Sequence, residues 1–143
     1  MSKLGRYSAQ RRKVTELTAA TIINVSDCGT EFLLNSATEF AVELPNAADA
    51  GAGWWARFTV KGAPSGASYT VNVTDGDGDN LHGVVLSAED AAGDGGSTGG
   101  TGTDVITFVD SKAKKGDWCE IWTDGTDWYA VSAATEQDGI TYS

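Results

Sequence analysis

Three aspartates at alternate positions, Asp75, Asp77 and Asp79 in DGDGDN, form the densest run of hard metal ligands in this 143-residue chain. Carboxylates spaced two apart on a glycine-relieved loop suit a hard cation such as calcium. The run departs from the helix-flanked calcium loop twice, with Asn80 where that loop needs glycine and Leu86 where it needs a bidentate glutamate. It reads first as a solvated hairpin loop and only second as a metal site, and no cofactor is expected. His82, the single histidine, lies in the strand-like LHGVV, where a lone imidazole packs or faces solvent more often than it acts as a base. No GxSxG or HExxH motif occurs, and twenty acidic residues leave any glycosidase-type pair unconstrained. The glycine-rich GDGGSTGGTGT lacks the GxxxxGK[ST] pattern of a phosphate loop. Catalysis is not expected.

The residues that ask for an explanation are aromatic. WCEIWTDGTDWYAV, residues 118–131, places three tryptophans and a tyrosine around one turn. Asp-Gly between β-rich runs is a strong hairpin signal, because glycine tolerates positive φ. With Asp124 and Gly125 as a two-residue loop, Ile121 faces Trp128 and Glu120 faces Tyr129. Side chains alternate across a sheet. One face then holds Cys119, Ile121, Trp128 and Ala130 and reads as core. The other holds Trp118, Glu120, Trp122, Tyr129 and Val131, too apolar to leave wet and too polar for a deep interior. Either another part of the chain covers that face or a second subunit does. Trp54-Trp55 also sends one indole to each side, so Trp55 joins Trp118, Trp122 and Tyr129 as the candidate oligomer interface. Stacked indoles could also form a carbohydrate platform.

Charge divides the chain. The net charge is −10, yet five of the ten basic residues, Lys3, Arg6, Arg11, Arg12 and Lys13, fall in the first thirteen positions, which hold no acidic residue. Residues 1–18 read as a basic N-terminal arm and residues 19–143 as a single β domain. The acidic body would repel a duplex held close, so nucleic acid is not an expected partner. No run of about 18 apolar residues exists, which argues against a membrane helix. The N-terminus has no apolar segment after its charges and does not read as a secretory signal, so synthesis in the cytoplasm and use without secretory export are expected. Cys28 and Cys119 read as half-buried thiols.

These residues are carried on strands. Phe40, Val42 and Leu44 alternate with Glu39, Ala41 and Glu43, while Trp54, Ala56, Phe58 and Val60 alternate with Trp55, Arg57, Thr59 and Lys61. Short runs of this kind, separated by Gly, Asp, Asn and Pro, predict an all-β antiparallel sandwich or barrel of about nine strands. The one helix start of note is Ser87 with Asp90, ended by Gly93. The stretch 93–103 has almost nothing to bury and reads as a mobile, exposed connection.

From TIINVSDCGTEFLLNSATEFAVELP onward, and above all in DVITFVDSKAKKGDWCEIWTDGTDWYAVSAA with the closing GITYS, the chain resembles small phage head decoration (cement) proteins, with similar modules in tail fibres. The resemblance implies a non-enzymatic virion protein on the outer capsid surface, a homotrimer whose partner is the major capsid protein. The arm would then bind the shell through Lys3, Leu4, Arg6, Tyr7, Arg11, Arg12 and Lys13. The rival expectation is a receptor- or glycan-binding module of a head or tail fibre that uses Trp118, Trp122 and Tyr129.

Overall fold

The computed structural model describes residues 11–73, 80–87 and 99–143. Lys3, Leu4, Arg6 and Tyr7 of the arm, Asp75, Asp77 and Asp79, and the helix start beyond Ser87 lie outside them. Twelve strands run in chain order: β1 (Lys13–Leu17), β2 (Thr21–Ile22), β3 (Thr30–Leu34), β4 (Phe40–Glu43), β5 (Trp55–Val60), β6 (Tyr69–Asn72), β7 (Leu81–Ser87), β8 (Gly100–Thr103), β9 (Val105–Phe108), β10 (Trp118–Thr123), β11 (Trp128–Ala134) and β12 (Ile140–Tyr142). They form a sandwich of a seven-stranded sheet, β1-β3-β5-β10-β11-β7-β8, and a five-stranded sheet, β12-β9-β6-β4-β2.

The all-β sandwich is as the alternation implies, but the sheets are mixed rather than antiparallel. The cause lies in the winding. From β1 to β6 the chain crosses to the opposite sheet after every strand. A strand that returns to its own sheet by way of the other layer runs in its earlier direction, so β1–β3, β3–β5, β2–β4 and β4–β6 pair in parallel. Side-chain period reports which face is buried and is blind to strand direction.

Burial follows the alternation. Phe32, Leu34, Ala56, Phe58, Val60, Ile121 and Trp128 from one sheet meet Phe40, Val42, Tyr69, Val71, Ile106 and Phe108 from the other. Trp54, just before β5, turns inward; its ring meets Trp128 edge-on at 5.5 Å and its Nε1–H donates to the Val25 carbonyl. Cys119 is buried, with its thiol pushed up to about 12 by burial, whereas Cys28 is exposed, so the two thiols are not alike.

Three local expectations change. The arm's residues 13–17 are β1, an edge strand of the large sheet. A one-turn helix, α1 (Ala47–Ala50), follows Pro45 because the Asn46 side chain accepts the Ala48 N–H. Gly100–Thr103, the end of the glycine-rich stretch, is edge strand β8 rather than free connection. Glycine is needed there and opposite it in β7. A Cβ on Gly83 or Gly100 would stand 2.3 Å or 2.6 Å from atoms of Tyr142, whose ring fills the slot between the sheets and whose hydroxyl meets Ser132 Oγ at 2.7 Å.

Candidate functional site

The hairpin closes one step later than a two-residue turn would allow. Thr123 pairs with Trp128 and Trp122 with Tyr129, leaving the four-residue loop 124–127 and a register offset by two. Side chains hold this wider loop. Asp124 Oδ1 accepts the N–H groups of Thr126 and Asp127 at 2.8 and 2.9 Å, while Thr123 Oγ1 accepts the Gly125 N–H and donates to the Asp127 carbonyl. Gly125 takes φ 95°, a conformation costly for other residues. Because side chains repeat every two residues, an offset of two leaves both faces intact.

Strand registers then define three rows across the outer face of the seven-stranded sheet. The first runs Trp55, Trp122, Tyr129, His82, Thr101. The second runs Val14, Glu31, Arg57, Glu120, Val131, Val84. The third runs Glu16, Leu33, Thr59, Trp118, Ala133, Leu86. All four residues expected at an oligomer interface, Trp55, Trp118, Trp122 and Tyr129, thus share this face. Sequence reasoning missed His82, Val84 and Leu86. Their alternation in LHGVVLS was visible, but only the parallel β7–β11 pairing places them beside the tryptophans.

Row one is a line of rings. Trp122 and Tyr129 lie 6.2 Å apart at 23°, and Tyr129 and His82 lie 5.9 Å apart. Tyr129 donates to Asp124 Oδ2, which raises its phenol above the ordinary value; the backbone N–H groups of Asp127 and Thr126 hold the Asp124 carboxyl below its own. Trp122 is a ridge between two clefts. One, of about 340 Å³, is lined by His82, Val84, Thr101, Tyr129 and Val131. The other, of about 480 Å³, is lined by Arg12, Gly53, Trp55 and Glu120.

Row two is polar at its centre. Arg57 sits between Glu31 and Glu120, 3.9 Å from each, with its guanidinium 4.0 Å from the centre of the Trp118 ring. Trp118 is therefore half-buried, with one side of its ring covered by Arg57 of the same sheet. The apolar side chains left exposed are Val14, Val84, Leu86 and Trp122, at 38 to 62%. The outer face of the five-stranded sheet differs in kind, with Ala41, Thr70, Thr107 and Thr141 in one row and Ile22, Glu43, Asn72 and Val105 in the next; Ile22 is its exposed aliphatic residue.

Of the basic arm residues described, Arg12 pairs with Glu31 and Lys13 with Asp27, each at 3.0 Å, and Arg11 is exposed. The Lys13 ammonium holds the Asp27 carboxyl below its usual value. Among the described residues no three His, Cys, Asp or Glu side chains are grouped to hold a metal, and no helix is long and apolar enough to cross a membrane. His82 Nδ1 accepts the Gly102 N–H at 3.3 Å, a bond that ties β7 to β8. No protein family, curated protein or solved structure matches this chain.

Proposed function

We propose that this chain is a structural virion protein, a non-enzymatic cement subunit that associates with copies of itself on the outside of an assembled phage shell and joins neighbouring shell subunits. The observation that carries this reading is the asymmetry of the sandwich. One outer face is threonine-rich and exposes a single large apolar side chain, Ile22, among the described residues; the other presents a ring row and the exposed Val14, Val84 and Leu86 around a charged centre. Exposed aromatic and aliphatic side chains with an arginine among them are residue types enriched at protein–protein contacts. Self-association matters energetically because a subunit that binds weakly gains avidity when several joined copies engage one shell.

The test is direct. Shells incubated with the purified protein should retain it through sedimentation and should resist heat better than bare shells. Leu86→Lys, which places a charge on the exposed face, should weaken retention at least tenfold while leaving the fold intact. Protein that stays wholly in solution at micromolar concentration with shells of its own virus counts against the proposal.

A second reading, a glycan- or receptor-binding module of a fibre, draws on the clefts beside Trp122. Because Arg57 covers Trp118, its stacking surface would be Trp122 and Tyr129. Saccharides that change tryptophan fluorescence in the native protein but not in Trp122→Ala would favour this reading.

A further inference from the structure

The seven-stranded sheet ends in different chemistry at its two edges. At β8 the contacts are neutral. Gly100 is buried beside Tyr142, Thr103 Oγ1 donates to the Leu81 carbonyl, and His82 Nδ1 accepts the Gly102 N–H. At β1 they are charged. Leu17 is the one buried side chain of that strand, and Val14 is 55% exposed.

Each ionisable residue from Arg12 to Glu16 meets an opposite charge outside β1. Arg12 Nη1 donates to Glu31 on β3, and Lys13 Nζ donates to Asp27 ahead of β3, each at 3.0 Å. Glu16 accepts the Lys61 ammonium, just past β5, on one oxygen. Its other oxygen accepts the Asn35 amide, just past β3, at 2.7 Å. Around these pairs, Arg57 of β5 stands beside Glu31 and beside Glu120 of β10, and Arg12 shares the cleft at Trp55 with Glu120.

The side chains that β1 and Arg12 contribute are 36 to 59% exposed, so dissolved ions reach all three pairs. Exposed ion pairs are weak singly and are screened by salt. Here three of them act on a strand with one buried side chain and a free outer edge. Asn35 and Lys61 hold the Glu16 carboxyl below its ordinary 4.5, and Lys13 holds that of Asp27 below 3.8. A depressed carboxyl favours the attached strand above its ordinary value, and that preference is lost as pH falls through the folded one.

We infer that β1 is a releasable edge strand, held to the sandwich by charge and set free by salt or acid while the remaining strands stay folded. Release separates the basic positions 11–13 from their acidic partners. It also unpairs the outer backbone groups of β3, which a sheet edge otherwise shields. The device belongs to the isolated chain and does not depend on shell binding.

Hydrogen exchange of the full-length protein tests it, read on peptides covering β1, with β5, β8 and β10 as internal references. At pH 7 and low salt the β1 amides should be protected. Raising salt from about 0.02 to about 0.5 M should speed their exchange about five- to tenfold and change β8 by less than about twofold. Lowering the pH below the ordinary carboxylate values should do the same once intrinsic rates are divided out. The triple variant Arg12→Gln, Lys13→Gln, Glu16→Gln should exchange in β1 at low salt as fast as the native protein at high salt, with no further salt step. Leu17→Val trims the apolar anchor and leaves the charges, so it should exchange faster yet keep the step. A β1 that is unprotected at low salt, a salt step shared by β8, or a triple variant that keeps the full step would each overturn the inference.

Discussion

The guanidinium of Arg57 lies 4.0 Å from the centre of the Trp118 ring, and the same side chain is flanked by Glu31 and Glu120. One arginine therefore joins β3, β5 and β10 on the outer face. Its Nε–H is buried without a hydrogen bond, since the Glu31 carboxylate stands 3.9 Å from it. Arg57→Ala should cost about 1–2 kcal/mol by loss of the cation–π contact and of stem packing. It should also make Trp118 more accessible to iodide. Urea unfolding and fluorescence quenching measure both; unchanged quenching would show that the ring was already open.

Tyr142 and Gly83 make a second strand-to-strand fit. The Tyr142 ring occupies the space that any side chain at position 83 would need, with 2.3 Å between a built Cβ and Cε1. Gly83→Ala must displace the ring and break its contact with Ser132, at a cost of about 1–3 kcal/mol for an overpacked core. Adding Tyr142→Leu to Gly83→Ala should recover part of that loss, so the two substitutions are coupled. Additive effects in urea unfolding would mean that the clash is relieved elsewhere.

Much of this was legible beforehand, and the remainder was hidden for definite reasons. Trp54 in and Trp55 out, and Ile121 in and Trp122 out, follow from period two alone. Strand direction does not, because winding between layers is a property of loops and long-range pairing; the placement of His82, Val84 and Leu86 beside the tryptophans was lost with it. The pairing of Trp122 with Tyr129 needed the side-chain bonds of Asp124 and Thr123, which a turn rule based on Asp-Gly overlooks. Residues 13–17 looked like arm because their charges dominate, yet Leu17 is buried and anchors the strand.

Asp117 is the buried carboxylate that holds the approach to β10. It is 2% exposed and accepts from the backbone of Lys114, the backbone of Thr135 and the Thr135 hydroxyl, at 2.8, 2.9 and 2.6 Å. Asp117→Ala leaves those donors without their acceptor, so a loss of about 2–4 kcal/mol is expected. Asp117→Asn keeps one carbonyl oxygen and turns an amide towards a donor, so it should fall between. Midpoints from chemical denaturation rank the three proteins, and an Asn variant worse than Ala would contradict the geometry.

The two thiols should differ sharply. Burial pushes Cys119 up to about 12, while Cys28 is exposed. A thiol reagent at pH 8 should label Cys28 within minutes and Cys119 only after unfolding. The folded state disfavours the Cys119 thiolate, so the stability it contributes is complete below the unfolded value near 9 and is lost as pH rises from there towards 12. Cys119→Ala should show a shallower alkaline decline than the native protein. Two thiols labelled at equal rates in the folded protein would refute the buried placement.

On the acid side the sign reverses. The backbone N–H groups of Asp127 and Thr126 hold the Asp124 carboxyl below its ordinary value of 3.8, and the Lys13 ammonium does the same for Asp27. A depressed carboxyl contributes stability that is present above its unfolded value and is lost as pH falls through its folded one. The thermal midpoint should therefore begin to fall near pH 4 and continue downward. Asp124→Asn separates charge from hydrogen bonding, because its Oδ1 can still accept both loop N–H groups while the charge is gone. The variant should be less stable than the native protein at pH 7, and the gap should close as pH falls below the ordinary carboxylate range and through the depressed value of the folded carboxyl. Melting curves that stay parallel across that range would show that the charge on Asp124 contributes nothing to the loop that sets the hairpin register and aligns Trp122 with Tyr129.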